Sequence, residues 1–185
     1  LSFRSAGIDP SRHLIVVGAS TGGTEALRVL LRNMPLDSPP VAIVQHMPAS
    51  FTASFAERLN LDTPLRVSEA VEGEPLTSGC VYVARGDTHL TARWKARGWH
   101  ARYTNMTPVN RHCPSVDVLF ESVAKTVGPM AVGAILTGMG RDGARGLKLM
   151  REAGAYTVGQ SQASALVYGM PRVAFEEGAV IEQAP

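Results

Sequence analysis

Cysteine is scarce in this chain of 185 residues: there are two, Cys80 and Cys113. They form no C-x-x-C pair and no metal-ligand spacing with the histidines, which argues against a disulfide framework or a zinc site and for a reducing compartment. An excess of one charge is also missing. Eighteen Lys and Arg against 16 Asp and Glu leave a formal net charge of +2, too little for the clustered cationic surface that holds a nucleic acid. Arg93, Lys95, Arg97 and Arg102 do gather, and the plainest account of them is the solvated face of a hairpin. No apolar run reaches the length of a membrane span, and no charged-then-apolar leader opens the sequence. These absences lead us to expect a cytoplasmic protein with no membrane insertion and no nucleic-acid partner.

What the chain has is core-forming material: it is 45% hydrophobic, punctuated by 18 glycines and 12 prolines, enough for a single domain. Residues 1–12, LSFRSAGIDPSR, lack periodicity and are expected to be a linker or an appended tail, leaving 13–185 as the domain. Short β-branched runs at 13–17, 41–45, 131–136 and 156–158 predict buried strands. Segments 24–31, 51–59 with Ser50 as cap, 115–127, 144–153 and 171–176 predict helices. Between the two α/β halves, 65–67, 81–84, 89–94 and 99–103 read as short strands, the last two joined as a hairpin through Lys95-Ala96-Arg97-Gly98. The pattern predicts an α/β fold, a mainly parallel, doubly wound sheet with helices on both faces and a β-hairpin excursion in the middle.

The stretch GASTGGTEAL, 18–27, turns the first strand abruptly into a helix. Within it Gly18-Ala19-Ser20-Thr21-Gly22 fits G-x-S-x-G, the nucleophile-elbow pattern, whose small residues allow a turn tight enough to push the serine hydroxyl out at the sheet's carboxyl edge. A phosphate cradle is the rival, because helix N-termini bind anions. The P-loop form of that cradle needs a lysine after its glycine, however, and Gly23 is followed by Thr24 and Glu25.

A serine nucleophile requires a base, and the base an orienting acid. His46 follows the strand at 41–45 and Asp142 the strand at 131–136. If these strands are parallel neighbours of the first, then Ser20, His46 and Asp142 emerge together at the edge where open α/β sheets place their ligands. Singly, each has a plainer explanation: Ser20 as a helix cap, His46 as a polar strand end, Asp142 as the shaper of a glycine-rich turn. Their joint placement is what argues for a triad. The other histidines have weaker claims. His13 precedes the first strand, His89 and His100 lie in the hairpin, and His112 sits beside Cys113 in an extended segment where neighbours point apart.

One competitor comes from another class. Gly138, Gly140 and Gly143 satisfy G-x-G-x-x-G between a strand and a helix, the mark of a dinucleotide-binding module. The acidic residue such a site wants about 20 positions on is missing from VGQSQ, and Asp142 would set a carboxylate where a pyrophosphate must lie.

GASTGGTEAL, QHMP followed by FTASFAERLN, PVNRHCPSVDVLFESVA and AILTGMGRDGARGL together resemble the catalytic domain of the chemotaxis protein-glutamate methylesterases, CheB, from about His13 to about Glu182. The resemblance implies hydrolysis of glutamyl methyl esters on cytoplasmic chemoreceptor helices, with glutamine deamidation in some members. It implies Ser20 as nucleophile, His46 as general base and Asp142 as orienting acid, with Thr21 and Met139 at the positions that help hold the oxyanion, and no cofactor or metal. Family members usually carry an N-terminal receiver domain as an inhibitory partner, and residues 1–185 are expected to hold the catalytic domain without it. The chain departs from the family at Cys113, where arginine is common, at Arg85, where proline is common, and in ending soon after Ile181.

Overall fold

The computed structural model describes residues 9–127 and 130–185. The elements follow in the order β1 (Leu14–Ala19), α1 (Gly23–Arg32), β2 (Val41–Gln45), α2 (Ala49–Asp62), β3 (Arg66–Glu69), β4 (Pro75–Leu76) and β5 (Cys80–Val83). The hairpin β6 (Leu90–Lys95) and β7 (Gly98–Tyr103) comes next, then α3 (Val116–Val127), β8 (Ala131–Ile135), α4 (Ala144–Glu152), β9 (Tyr156–Gln160), α5 (Met170–Glu176) and β10 (Glu182–Ala184). Seven strands form one sheet in the order β10-β9-β8-β1-β2-β5-β3, and every pairing in it is parallel. A separate antiparallel sheet runs β4-β7-β6. The expected α/β architecture is therefore present, with the hairpin excursion enlarged by a third short strand.

Alternation along the central strands explains why helices cover both faces. Leu14 and Val16 of β1, with Ala42 and Val44 of β2, enter a core shared with Leu119, Phe120, Leu147 and Met150 of α3 and α4. The residues between them, Val17, Ala19, Val41 and Ile43, enter a second core with Leu27 and Leu31 of α1 and Phe55 and Leu59 of α2. A strand with period-two side chains can be apolar at every position only when both faces are buried, as here. The excursion packs into the first core through Trp99, which is fully buried and donates its indole N–H to the carbonyl of Arg12 at 3.2 Å. Its tight turn places Ala96 and Arg97 at φ 49° and 67°, the double left-handed geometry of a two-residue hairpin loop.

Beyond shifts of one to three residues at the ends of elements, the structure departs from expectation in three places. Helix α2 starts at Ala49 with Pro48 as N-cap, so Ser50 lies inside its first turn and does not cap it. Strands β4 and β10 are too short and, in β10, too exposed to carry a periodic signal. Of the expected tail, residues 1–8 lie outside the described residues, while 9–12 form a turn with Pro10 buried. Among the described residues no helix is long and apolar enough to cross a membrane.

Candidate active site

Strand β1 lies between β8 and β2, with Ala19 in register with Gln45 and Gly18 with Ile135. Ser20 and His46 are the residues immediately after the first of these pairs. Because the chain crosses from β1 to β2 on one side and reaches β8 on the other, the carboxyl end of β1 is the switch point of the sheet, the crevice where such folds bind ligands.

The turn at Ser20 is held from several directions. Its N–H donates to the carbonyl of Thr137 at 3.0 Å, and its own carbonyl accepts the N–H of Gly23 at 2.7 Å. Gly22, at φ 82°, is the N-cap of α1 and makes no side-chain cap bond, so Ser20 is not the helix cap its position allowed. Thr137 is buried and braces the turn: its hydroxyl donates to the carbonyl of Thr21 at 2.9 Å and accepts the N–H of Val167 at 2.9 Å. Gln45 ties the two strand ends together, its Nε2 donating to the carbonyls of Ser20 at 2.9 Å and His46 at 3.3 Å. A Cβ added at Gly138 would stand 2.7 Å from Ser20 Cβ and 2.4 Å from Met170 Sδ, so only glycine lets the backbone after β8 run alongside the serine. Thr21 is exposed, and the neighbouring Met139 is 73% exposed at the rim.

His46 donates from Nε2 to Asp142 Oδ2 at 2.8 Å, with the two side chains 8% and 1% exposed. The lone pair is therefore on Nδ1, a buried atom with no hydrogen-bond partner among the described residues. The ring is turned over relative to the serine-protease arrangement, in which Nδ1 faces the acid and Nε2 the serine.

Asp142 is the hub of the site. Its Oδ2 also accepts the N–H of Val116 at 2.7 Å, and its Oδ1 accepts Ser115 Oγ at 2.7 Å, Asn110 Nδ2 at 2.9 Å and the N–H of Asp117 at 3.3 Å. Two of those amides open α3, so the carboxylate also meets the positive end of that helix. Burial alone would raise the pKa of Asp142, but the bonds from His46, Asn110, Ser115 and Val116 outweigh it and hold the acid at about 2, below its ordinary 3.8. Asp117 lies one bond away, sharing Asn110 Nδ2 at 2.7 Å. Burial pushes its pKa up against the backbone bond from Gly146.

The structure adds a residue that the sequence reading set aside. His112 stacks on His46, ring centroids 3.6 Å apart and planes 8° from parallel. A tight turn presents it: Val109 and His112 exchange backbone hydrogen bonds of 3.0 and 2.9 Å around Asn110 and Arg111, at φ 52° and 68°. His89, also discounted, anchors the same loop by donating from Nε2 to the carbonyl of Thr107 at 2.8 Å and accepting the N–H of Ser115 at Nδ1 at 3.0 Å. The usable signals were Asn110, a residue type that tolerates left-handed backbone, and Ser115, a natural cap before a helical run.

The loop from Gly138 to Gly143 is not shaped as a dinucleotide cradle. Gly138 donates to the carbonyl of Val167 at 3.0 Å and accepts from Met170 at 2.8 Å, so its backbone is already committed to the segment before α5. The ionised Asp142 occupies the loop's interior. Among the described residues no three His, Cys, Asp or Glu side chains converge as a metal set.

The family model described as CheB methylesterase matches residues 15–185. A protein-glutamate methylesterase/protein-glutamine glutaminase of Burkholderia thailandensis is 53% identical over 184 residues, covering 98% of this chain and 52% of that protein. One of the same name from Salmonella typhimurium is 53% identical over 172 residues, covering 93% of this chain and 49% of that protein. The chain thus spans about half the length of the curated relatives it matches. The crystal structure of the Thermotoga maritima CheB methylesterase catalytic domain superposes with a TM-score of 0.91 at 34% identity, covering 95% of this chain and 93% of that one.

Proposed function

The chain belongs to the CheB methylesterase family, and from that premise we propose that residues 13–185 act as a catalytic domain that hydrolyses glutamyl methyl esters on chemoreceptor helices. The observation that carries this reading is the 2.8 Å bond between His46 and the buried Asp142 at the mouth of the strand next to Ser20. Ser20 Oγ attacks the ester carbonyl and gives its proton to His46 Nδ1, while Asp142 holds Nε2–H and stabilises the imidazolium that forms. No bond joins Ser20 to His46 Nδ1 in the structure, and such contacts tighten in the substrate complex. The oxyanion is met by backbone N–H groups at Thr21 and Met139, a role supported by the close approach of the backbone at Gly138 to Ser20.

His46 then returns the proton to the leaving methoxide, and methanol departs. Water, deprotonated by Nδ1, attacks the acyl-serine; the acyl–oxygen bond breaks, Nδ1 returns the proton to Ser20 Oγ, and the free glutamate is released. A glutamine side chain would follow the same route with ammonia as the leaving group, the second activity in the relatives' names. No step needs a metal or an organic cofactor. The receptor helices and an inhibitory receiver domain are the proposed partners, and the cytoplasm the proposed compartment.

Methanol release from a methylated receptor fragment tests the reading. Ser20→Ala should abolish turnover, and because Ser20 caps nothing the unfolding free energy read from urea titration should change by no more than about 0.5 kcal/mol. Turnover surviving in the pure variant would place the nucleophile elsewhere.

A further inference from the structure

Among the described residues the imidazole of His46 makes a single hydrogen bond, from Nε2 to Asp142, and its other ring nitrogen has no partner. One bond at the far corner of an imidazole restrains where that corner lies. It leaves the plane free to rock about the line from Cβ to the bonded nitrogen, and rocking carries Nδ1 away from the serine. Something else must set the plane, and among the described residues the aromatic ring that lies against this one is His112.

We propose that His112 is a positioning residue for the reaction, a flat surface against which the imidazole of His46 is held so that Nδ1 faces Ser20. The proposal rests on the esterase reading of the triad and concerns how its base is aimed. Three observations support it. The rings are 3.6 Å apart and 8° from parallel, close to the contact distance of carbon atoms and therefore leaving no room to rock. The backbone under His112 is fastened by two reciprocal bonds to Val109. And Asn110, in the same turn, donates to the carboxylate that holds His46, so the surface and the anchor are registered to each other through one short turn.

The chemistry of His112 suits the role. Burial and the neighbouring His46 push its pKa down, against a smaller raising effect of Asp142, which favours its uncharged form beside the imidazolium that His46 becomes. A neutral ring under a developing imidazolium offers its π face to the charge, whereas a lysine or arginine in that place would repel it. Contact with the substrate is not required, so His112 acts through His46.

Two variants and two measurements test the idea: His112→Ala removes the surface, and His112→Phe keeps a ring while removing its titration. Methanol release from a methylated receptor fragment should show kcat falling about 10²-fold in His112→Ala with KM unchanged, the scale of a misplaced catalytic group. His112→Phe should retain most of the wild-type kcat. The imidazole ¹⁵N spectrum of His46 should report one tautomer with Nδ1 bare in the wild type and in His112→Phe, and an averaged signal in His112→Ala. A wild-type kcat in His112→Ala, or a His112→Phe as slow as the alanine variant, would overturn the proposal. If His112→Ala does not fold by circular dichroism, His112→Phe decides alone: near-wild-type kcat supports the stacked surface and a large loss refutes it. If the wild type releases no methanol, the esterase reading fails, and the ¹⁵N spectra still judge whether His112 fixes His46.

Discussion

Asp142 is a single carboxylate asked to do two things, and its bonds show how both are done at once. Oδ2 receives His46 and the first amide of α3, while Oδ1 receives Ser115, Asn110 and the second amide. An asparagine cannot reproduce this. With its amide toward His46 it meets the N–H of Val116 donor to donor and forces the lone pair onto Nε2, so that Nδ1 carries a proton and cannot accept one from Ser20. With its amide toward Asn110 it meets that side chain and the N–H of Asp117 instead. Asp142→Asn should therefore lower kcat by roughly 10⁴-fold, the loss seen when the equivalent tautomer is wrong in a serine protease. Methanol release from a methylated receptor fragment is the measurement, and near-normal turnover would reduce Asp142 to a turn residue.

At the scale of elements, the site depends on how closely α3 approaches the end of β1. A Cβ at Gly18 would stand 2.2 Å from Val116 Cγ1 and 2.8 Å from Cγ2, so only a glycine there lets the helix start against the strand. Gly18→Ala should push Val116 outward, costing about 1–3 kcal/mol as an overpacked core position does. It should also lower kcat, because Ser115 and Val116 move with it and both hold Asp142. Adding Val116→Ala removes the obstruction and should recover most of the stability in a double-mutant cycle read by urea unfolding. Purely additive losses would show that the contact does not set the spacing. The sequence disclosed part of this. The glycine and the elbow were legible because a turn of that kind demands small residues, and the helix from about 115 was legible by its period. That the two meet depends on packing between segments about 100 residues apart, which no local pattern records.

The whole molecule carries the same logic into its response to acid. The folded pKa of Asp142 is depressed, so its contribution to stability is present above the ordinary 3.8 and is lost as pH falls toward about 2. That interval is worth roughly 2 kcal/mol at about 1.36 kcal/mol per pH unit. Asp117 has the opposite sign: burial raises its folded pKa, so its ionisation costs stability as pH rises past 3.8. We expect the urea midpoint to drop between about pH 4 and pH 2, and the drop to shrink in Asp142→Asn. An equal drop in both proteins would move the acid sensitivity to other carboxylates. The strands that end before Ser20, His46 and Asp142 were legible from β-branched runs, whereas their order as parallel neighbours was a condition of the triad reading, one the sheet meets. The loop that lays His112 on His46 was not, since its residues have no periodicity and its shape comes from Asn110, His89 and Ser115 reaching across to other elements.

The bonds of Asp142 to the first turn of α3 bear on how such a site would decay by descent. In a copy relieved of catalysis, changes at Ser20 or His46 would remove activity and leave the helix start in place, so drift could accept them early. A change at Asp142 would strip Ser115, Asn110 and two backbone amides of their acceptor in the interior, a structural loss that selection for mere folding would still resist. Silent descendants of this domain should then keep the aspartate after the serine and histidine have gone, and its presence in a relative is weaker evidence of turnover than theirs.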